Sequence, residues 1–144
     1  MEKILHANSL ILEDAAILIV GKPASGKTTL TLSLIERAKL QARYASIIAD
    51  DYTKIVKIND SYWAKVPENI AGAVELRGVG IFSIPYMNEG KIQLCVFLGD
   101  CDKANYNFLL ENNKIRQLNL PEISKTSIVN LCYAIEFTLF NPVW

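Results

Sequence analysis

The 144-residue sequence predicts a single mixed α/β domain over residues 1–144, with a glycine-bounded loop joining a buried strand to a helix. Three observations predict it. The apolar run Ala15-Ala16-Ile17-Leu18-Ile19-Val20 ends in Gly21, the pattern of a strand covered on both faces. Residues 27–39 place Leu30, Leu34 and Ala38 on one helical face, with Leu32 and Ile35 beside them. From Thr53 onward the apolar period becomes two, the period of strands.

The elements follow in order. Lys3 to Leu12 alternates loosely and reads as a short strand or hairpin, with Asn8-Ser9 as its turn. The buried strand and the helix come next. Ile47-Ile48-Ala49 is a short apolar strand cut off by Asp50-Asp51. Strands are expected over Thr53–Ile58, Tyr62–Lys65, Ala73–Leu76, Ile81–Pro85 and Lys91–Leu98. Asn59-Asp60, Pro67 and Asn88-Glu89-Gly90 supply turn signals between them. Tyr106–Leu110 and Ile115–Leu118 fit either helix or strand. A last helix, Thr126 to Phe140, carries Ile128, Leu131, Ile135 and Leu139 on one face. Ser124 or Thr126 is expected to cap its start, and Pro142 follows its end.

Composition excludes several function classes. Hydrophobic residues make up 51% and charged residues 21%, unlike a disordered chain. A chain of this length buries about two-thirds of its unfolded surface and needs no covalent staples. With 15 basic and 15 acidic residues the net charge is zero, which argues against general binding to nucleic acid or to an anionic membrane. No apolar run is long enough to span a bilayer, and Met1-Glu2-Lys3-Ile4-Leu5-His6 lacks a signal-peptide layout. Cys95, Cys101 and Cys132 show no C-x-x-C spacing and read as small apolar core residues. One histidine makes a zinc site improbable, and the expected compartment is a reducing cytoplasm. Trp144, a large apolar residue at the chain end, is a candidate for packing onto a neighbouring subunit.

Gly21-Lys22-Pro23-Ala24-Ser25-Gly26-Lys27-Thr28 matches G-x-x-x-x-G-K-[ST] in full. The glycines allow a tight turn that brings backbone N–H groups inward, and the following helix N-terminus completes an anion cradle. Lys27 is long enough to reach the β- and γ-phosphates, and Thr28 offers a hydroxyl to Mg²⁺. A glycine turn that merely caps a helix would share some of these residues. The match follows a buried-strand pattern and opens a helix, which is the context nucleotide binding requires.

Asp50-Asp51 stands at the C-terminal edge of its strand, where α/β sheets bind ligands. One carboxylate there can hold the Mg²⁺ shell and the other can accept a proton. The plainer reading is an acidic pair that starts a turn before Tyr52. Glu75-Leu76-Arg77-Gly78-Val79-Gly80-Ile81 sets an acid and a base on one side of a strand next to a glycine turn. The pair can address a metal and a phosphate, or can be a surface ion pair. His6, alone of its kind, reads from spacing as structural or exposed.

Together these motifs resemble the C-terminal catalytic domain of HPr kinase/phosphorylase, a family that phosphorylates a serine on HPr, a small phosphocarrier of bacterial sugar uptake. The resemblance runs from His6 to about Phe140. It rests on the spacing from His6 to the loop, the loop itself, the apolar-Ala49-Asp50-Asp51 strand end and the Glu75-x-Arg77-Gly78-x-Gly80-Ile81 signature. Asn130 and Ile135-Glu136 resemble the family's closing helix. The signature is more specific than the phosphate loop and separates this group from ordinary P-loop ATPases.

The resemblance implies a fold of the HPr kinase C-terminal or PEP carboxykinase-like type, and roles for individual residues. Gly21, Lys22, Pro23, Ala24, Ser25, Gly26, Lys27, Thr28 and Thr29 would bind ATP. Thr28 and Glu75, with Asp50 beside them, would hold Mg²⁺. Asp51 would take the serine proton, supported by Asp50 and His6, and Arg77 would stabilise the transferring phosphate. A trimer or hexamer in the cytoplasm is expected, with an HPr-type phosphocarrier as partner and neither nucleic acid nor membrane.

The chain also departs from the family pattern. The large N-terminal domain of long members and the second terminal helix have no counterpart in it. The link from Leu40 to Tyr44 is long, and Tyr106-Asn107-Phe108 lacks the arginine expected there. Ser127-Ile128-Val129-Asn130 replaces an arginine-bearing stretch tied to the reverse reaction, which argues against phosphorylase activity. These departures support two alternatives: a nucleotide-sensing module without efficient transfer, and a kinase for a small hydroxylated metabolite.

Overall fold

The structure is a computed structural model and describes residues 2–141. Its main sheet has the strand order β1-β5-β6-β9-β3-β2-β4, with β10 paired to β9. The strands are β1 (Glu2–Leu5), β2 (Asn8–Leu12), β3 (Ala15–Gly21), β4 (Ala45–Ala49), β5 (Thr53–Ile58) and β6 (Ser61–Lys65), then β7 (Ala73–Leu76), β8 (Gly80–Ser83), β9 (Glu89–Leu98) and β10 (Arg116–Leu120). β7 and β8 form a separate two-stranded sheet. The helices are α1 (Lys27–Leu40), α2 (Asn107–Leu110) and α3 (Ile128–Phe140). No described helix is long and apolar enough to cross a membrane.

The apolar run of β3 is explained by its position. It lies between β2, which is antiparallel to it, and β9, which is parallel. Its side chains alternate between two cores. Ile17 and Ile19 pack with Leu30, Leu34 and Ala38 of α1 and with Leu131 and Ile135 of α3. Ala16, Leu18 and Val20 pack on the other face with Ile55 of β5, Ala64 of β6, Tyr106 and Leu109. The two faces thus need apolar residues at every position rather than at alternate ones.

Strand direction decides what reaches the functional edge. β2 is antiparallel to both β3 and β4, so β3 and β4 point the same way, and β9 and β10 share that direction. One edge of the sheet therefore gathers the C-terminal ends of β3 and β4 and the N-terminal end of β2. That places Gly21, Asp50 and the His6-Ala7 corner together.

Several local expectations are corrected. The turn expected at Asn8-Ser9 lies at His6-Ala7. Asn8 and Ser9 begin β2 and are fully buried, because their side chains find partners inside: Asn8 on Asp50, and Ser9 Oγ on Thr53 Oγ1 at 2.8 Å. Glu89 and Gly90 are not a turn but pair with Lys65 and Ala64. Gly90 serves close packing, since a Cβ there would lie 2.9 Å from Ile11 Cγ1. Tyr106–Leu110 resolves into a 3₁₀ turn running into α2, and Ile115–Leu118 into the approach to β10 and its first residues. The cap of α3 is Ser127, whose Oγ accepts from the Asn130 N–H at 3.1 Å, in place of Ser124 or Thr126. Cys95 and Cys132 are buried as expected, whereas Cys101 is only half-buried. Pro142 and Trp144 lie outside the described residues.

α1 is fastened to α3 by a bidentate pair, Arg37 Nε to Glu136 Oε2 at 2.9 Å and Arg37 Nη2 to Glu136 Oε1 at 2.8 Å. The Arg37 guanidinium also lies 4.7 Å from the Tyr133 ring centroid. The rest of the attachment is apolar. Leu34 of α1 is 0% exposed, so Leu34→Ala should leave a cavity and lower the unfolding free energy by about 3 kcal/mol. Urea denaturation checks this, and the midpoint should fall while the slope stays unchanged.

Candidate active site

The loop between β3 and α1 is shaped for an anion. Ala24 and Gly26 adopt positive φ, 68° and 106°, and the Ser25 N–H bonds to Lys22 O at 3.1 Å. Gly26 is the N-cap of α1 and supplies no side-chain hydrogen bond, and the first turn holds no acidic residue. The first N–H groups of the helix are left for a ligand, at the positive end of the helix dipole. The loop is braced from behind. Ile123, in a 3₁₀ turn after β10, donates its N–H to Ser25 O at 3.1 Å. A Cβ on Gly26 would lie 2.7 Å from Ile123 Cβ, so glycine is required there by space as well as by φ.

Lys27 Nζ donates to Gly21 O at 2.8 Å and to Lys22 O at 3.3 Å. An ammonium has three donors, which leaves one for a phosphate oxygen. Burial lowers the Lys27 pKa from its ordinary value, and the charges of Asp51 and Asp50 oppose that shift. Thr28 donates its hydroxyl proton to Asp50 Oδ1 at 2.8 Å, so its oxygen lone pairs remain available to a cation.

The two aspartates have different surroundings. Asp50 is buried, and its carboxylate is heavily engaged. Oδ1 accepts from Asn8 Nδ2 at 2.8 Å as well as from Thr28, and Oδ2 accepts from the Glu75 N–H at 3.0 Å. Asp51 is half-exposed and carries a positive φ of 69°. That left-handed backbone costs a non-glycine residue about 1–2 kcal/mol. The Asp51 N–H bonds to Asn8 Oδ1 at 3.0 Å, and its Oδ1 meets His6 Nε2 at 2.6 Å. His6 is held from behind. Tyr106 donates its hydroxyl to His6 O at 3.0 Å, and the Tyr52 ring lies 5.2 Å from the imidazole. Burial pushes the Tyr106 phenol up to about 12, so it stays a donor throughout the neutral range.

Glu75 comes from β7 and Arg77 from the turn into β8, where Gly78 and Gly80 have φ of 78° and 147°. The Asp50–Glu75 backbone bond ties this hairpin to the sheet edge. One cleft of about 610 Å³ is lined by His6, Lys27, Thr28, Asp50, Asp51, Glu75 and Arg77, together with Pro23, Ala24, Gly26 and Thr29. Every residue expected to act in catalysis or on a metal faces this space. Gly21, Lys22 and Ser25 shape the loop without lining the cleft. Sequence reasoning missed Asn8, Tyr52, Tyr106 and Ile123. Of these only Asn8 carried a usable signal, as a polar residue in front of the apolar Leu10-Ile11-Leu12.

The donor set fits a magnesium nucleotide. The uncapped helix start and the spare Lys27 proton suit phosphate oxygens. Among the described residues no three His, Cys, Asp or Glu side chains converge on one point. Magnesium commonly takes only one or two protein carboxylates and completes its shell with phosphate and water.

Residues 1–130 match the family model described as the HPr serine kinase C-terminal domain. The chain belongs to this family. The HPr kinase/phosphorylase of Clostridium acetobutylicum is 28% identical over 126 residues, covering 81% of this chain and 40% of the relative. That of Mycoplasmopsis pulmonis is 25% identical over 125 residues, covering 82% of this chain and 38% of the relative. The chain thus spans about two-fifths of the length of the curated relatives it matches. The solved structure of the Hpr(Ser) kinase/phosphatase from Coxiella burnetii superposes with a TM-score of 0.74 at 21% identity, over 96% of this chain and 89% of that one. The curled mixed sheet is therefore the fold of the HPr kinase C-terminal domain, as the sequence motifs implied.

In this HPr kinase-type domain the strained Asp51 has a measurable signature. Asp51→Gly removes the left-handed penalty and keeps the backbone N–H that Asn8 holds, while the exposed His6 pair it loses contributes little. Glycine also widens the unfolded ensemble, which offsets part of the relief, so the variant should be more stable by at most about 1 kcal/mol, read by chemical denaturation.

Proposed function

We propose that this chain is an ATP- and Mg²⁺-dependent protein serine kinase that phosphorylates a serine of an HPr-type phosphocarrier of the phosphotransferase system. One observation carries the reading: the Asp51–His6 pair at 2.6 Å opens into the same cleft as the uncapped start of α1, Lys27 and Arg77. An acceptor hydroxyl and a phosphate tail thus have facing sites with a base on one side and cations on the other.

Each residue then has a task. The N–H groups of the loop and the Lys27 ammonium hold the phosphate tail. Mg²⁺, when bound, would neutralise phosphate charge. Thr28 Oγ1 and the Glu75 carboxylate would hold it, with Asp50 fixing Thr28 and offering its remaining lone pair. Asp51 takes the proton of the acceptor hydroxyl. His6 directs one Asp51 oxygen and leaves the other free for the hydroxyl. Arg77 faces the charge that develops on the transferring group, where a fixed cation is worth most. The separation of labour follows from burial: Asp50 is occupied and enclosed, whereas Asp51 is open to a substrate.

The reading also includes a cytoplasmic homo-oligomer, a trimer or hexamer, on the strength of the family motifs. The reverse phosphorylase reaction is left out of it, because Ser127–Asn130 carries no arginine.

The test is to incubate the protein with γ-labelled ATP, Mg²⁺ and an HPr-type phosphocarrier. Label should appear on a carrier serine. Asp51→Asn should lower the transfer rate by about 10²–10⁴, the usual contribution of a general base. Mg-ATP should raise the melting temperature of the wild type but not of Lys27→Ala. Stabilisation by Mg-ATP without labelling of the carrier would falsify the kinase reading and leave a nucleotide-sensing module.

A further inference from the structure

The geometry points to Asn8 as a positioning residue that sets the direction of both aspartates at once. The inference rests on the kinase reading for its catalytic consequence, and on hydrogen-bond geometry for its structural part.

Asn8 is the first residue of β2 and is 0% exposed. Its amide is used from both ends. Nδ2 donates to Asp50 Oδ1 at 2.8 Å and, over a longer 3.4 Å, to Thr31 Oγ1. Oδ1 accepts the Asp51 N–H at 3.0 Å. The orientation is dictated by its neighbours. Thr31 gives its own proton to Lys27 O at 2.8 Å and so presents an acceptor, as Asp50 does, whereas the Asp51 backbone presents a donor. A reversed amide would set N–H against N–H and oxygen against carboxylate.

The position of Asn8 gives it this reach. β2 and β4 pair with a register shift: Ser9 faces Ala49 while Leu10 faces Ile47, so Ile48 is the extra residue of a bulge. Bulges re-aim the side chains that follow them. Ala49 follows the bulge opposite Ser9, Asp50 and Asp51 come next, and Asn8 is the β2 residue that meets them. Through Asp50 Oδ1, shared with Thr28, the Asn8 amide fixes the hydroxyl at the mouth of the loop. Through the Asp51 N–H it closes the left-handed turn that points the Asp51 carboxylate at His6. An apolar residue at position 8 would pack as well in β2 but would leave the Asp51 N–H and one side of Asp50 without a partner.

The test uses the full chain, labelled with ¹⁵N, and reads amide hydrogen exchange together with kinetics. In the wild type the Asp51 N–H should exchange at least about tenfold more slowly than a free-coil amide, because opening must precede exchange. Asn8→Ala should abolish that protection while amides in the middle of β9 keep theirs. With the phosphocarrier as substrate, Asn8→Ala should lower kcat about tenfold or more and, through Asp50 and Thr28, raise the KM for ATP by a smaller factor. Free-coil exchange of the Asp51 amide in the wild type overturns the inference, as does unchanged protection in a folded Asn8→Ala. The wild-type measurement decides the matter even where Asn8→Ala fails to fold. If wild-type transfer is absent but the exchange pattern holds, the kinase reading fails while the structural role of Asn8 stands.

Discussion

The site depends on one buried carboxylate. Asp50 accepts hydrogen bonds from Asn8 on β2, from Thr28 on α1 and from the backbone of Glu75 on β7. Three segments far apart in the chain are thereby fixed to the end of β4. A carboxylate so enclosed is costly to bury unless its lone pairs are filled, and here most of them are. The energy that satisfies Asp50 is the same energy that assembles the cleft. The start of β2, the helix after the phosphate loop and the Glu75–Arg77 hairpin are thus three partners of one group, the acidic end of β4.

The antiparallel insertion of β2 makes this possible. Had β4 lain beside β3 in a simple parallel sheet, the strand ends alone would form the edge, and residues from before the loop would lie elsewhere. With β2 between them, the His6-Ala7 corner and Asn8 arrive from the opposite direction and meet Asp50 and Asp51 head on. Tyr106, at the end of the 3₁₀ turn before α2, lies beside the corner and donates its hydroxyl to the His6 carbonyl. Chain reversal at the edge thus supplies the hydrogen-bond partner of Asp51 without a dedicated loop.

What could be read from the sequence follows from how local each feature is. The β3–loop–α1 unit was legible because its pattern is contiguous: an apolar run, a glycine-bounded loop and a helical face. The Asp50-Asp51 edge and the Glu75-x-Arg77 turn were legible as motifs, and resemblance to HPr kinase joined them. The hydrogen bonds that bring them together were not, since Asn8, Thr28 and the Glu75 N–H converge only after the strands have paired. Asn8-Ser9 reads as a turn in the sequence for the same reason. Both residues favour turns in isolation, and only burial against Asp50 and Thr53 converts them to strand. Ile123 behind the phosphate loop has no local signature, because its role is to occupy the space that the missing Cβ of Gly26 leaves open.

The division between the two aspartates also explains where strain is placed. Asp50 continues the strand and is held by ordinary contacts. Asp51 is forced into a left-handed conformation one residue later, with the Tyr52 N–H closing back onto Asp50 O at 2.8 Å. A glycine in that position would relieve the strain but remove the carboxylate. An unstrained aspartate would follow the extended backbone away from His6. The cost is accepted at the one residue whose carboxylate must leave the line of its strand, and the neighbouring groups that hold it, Asn8 and His6, come from the same three-residue stretch leading into β2. Strain and burial at this edge therefore meet at a single corner of the chain, and Asp50 Oδ1, shared by Asn8 and Thr28, ties the phosphate loop to it.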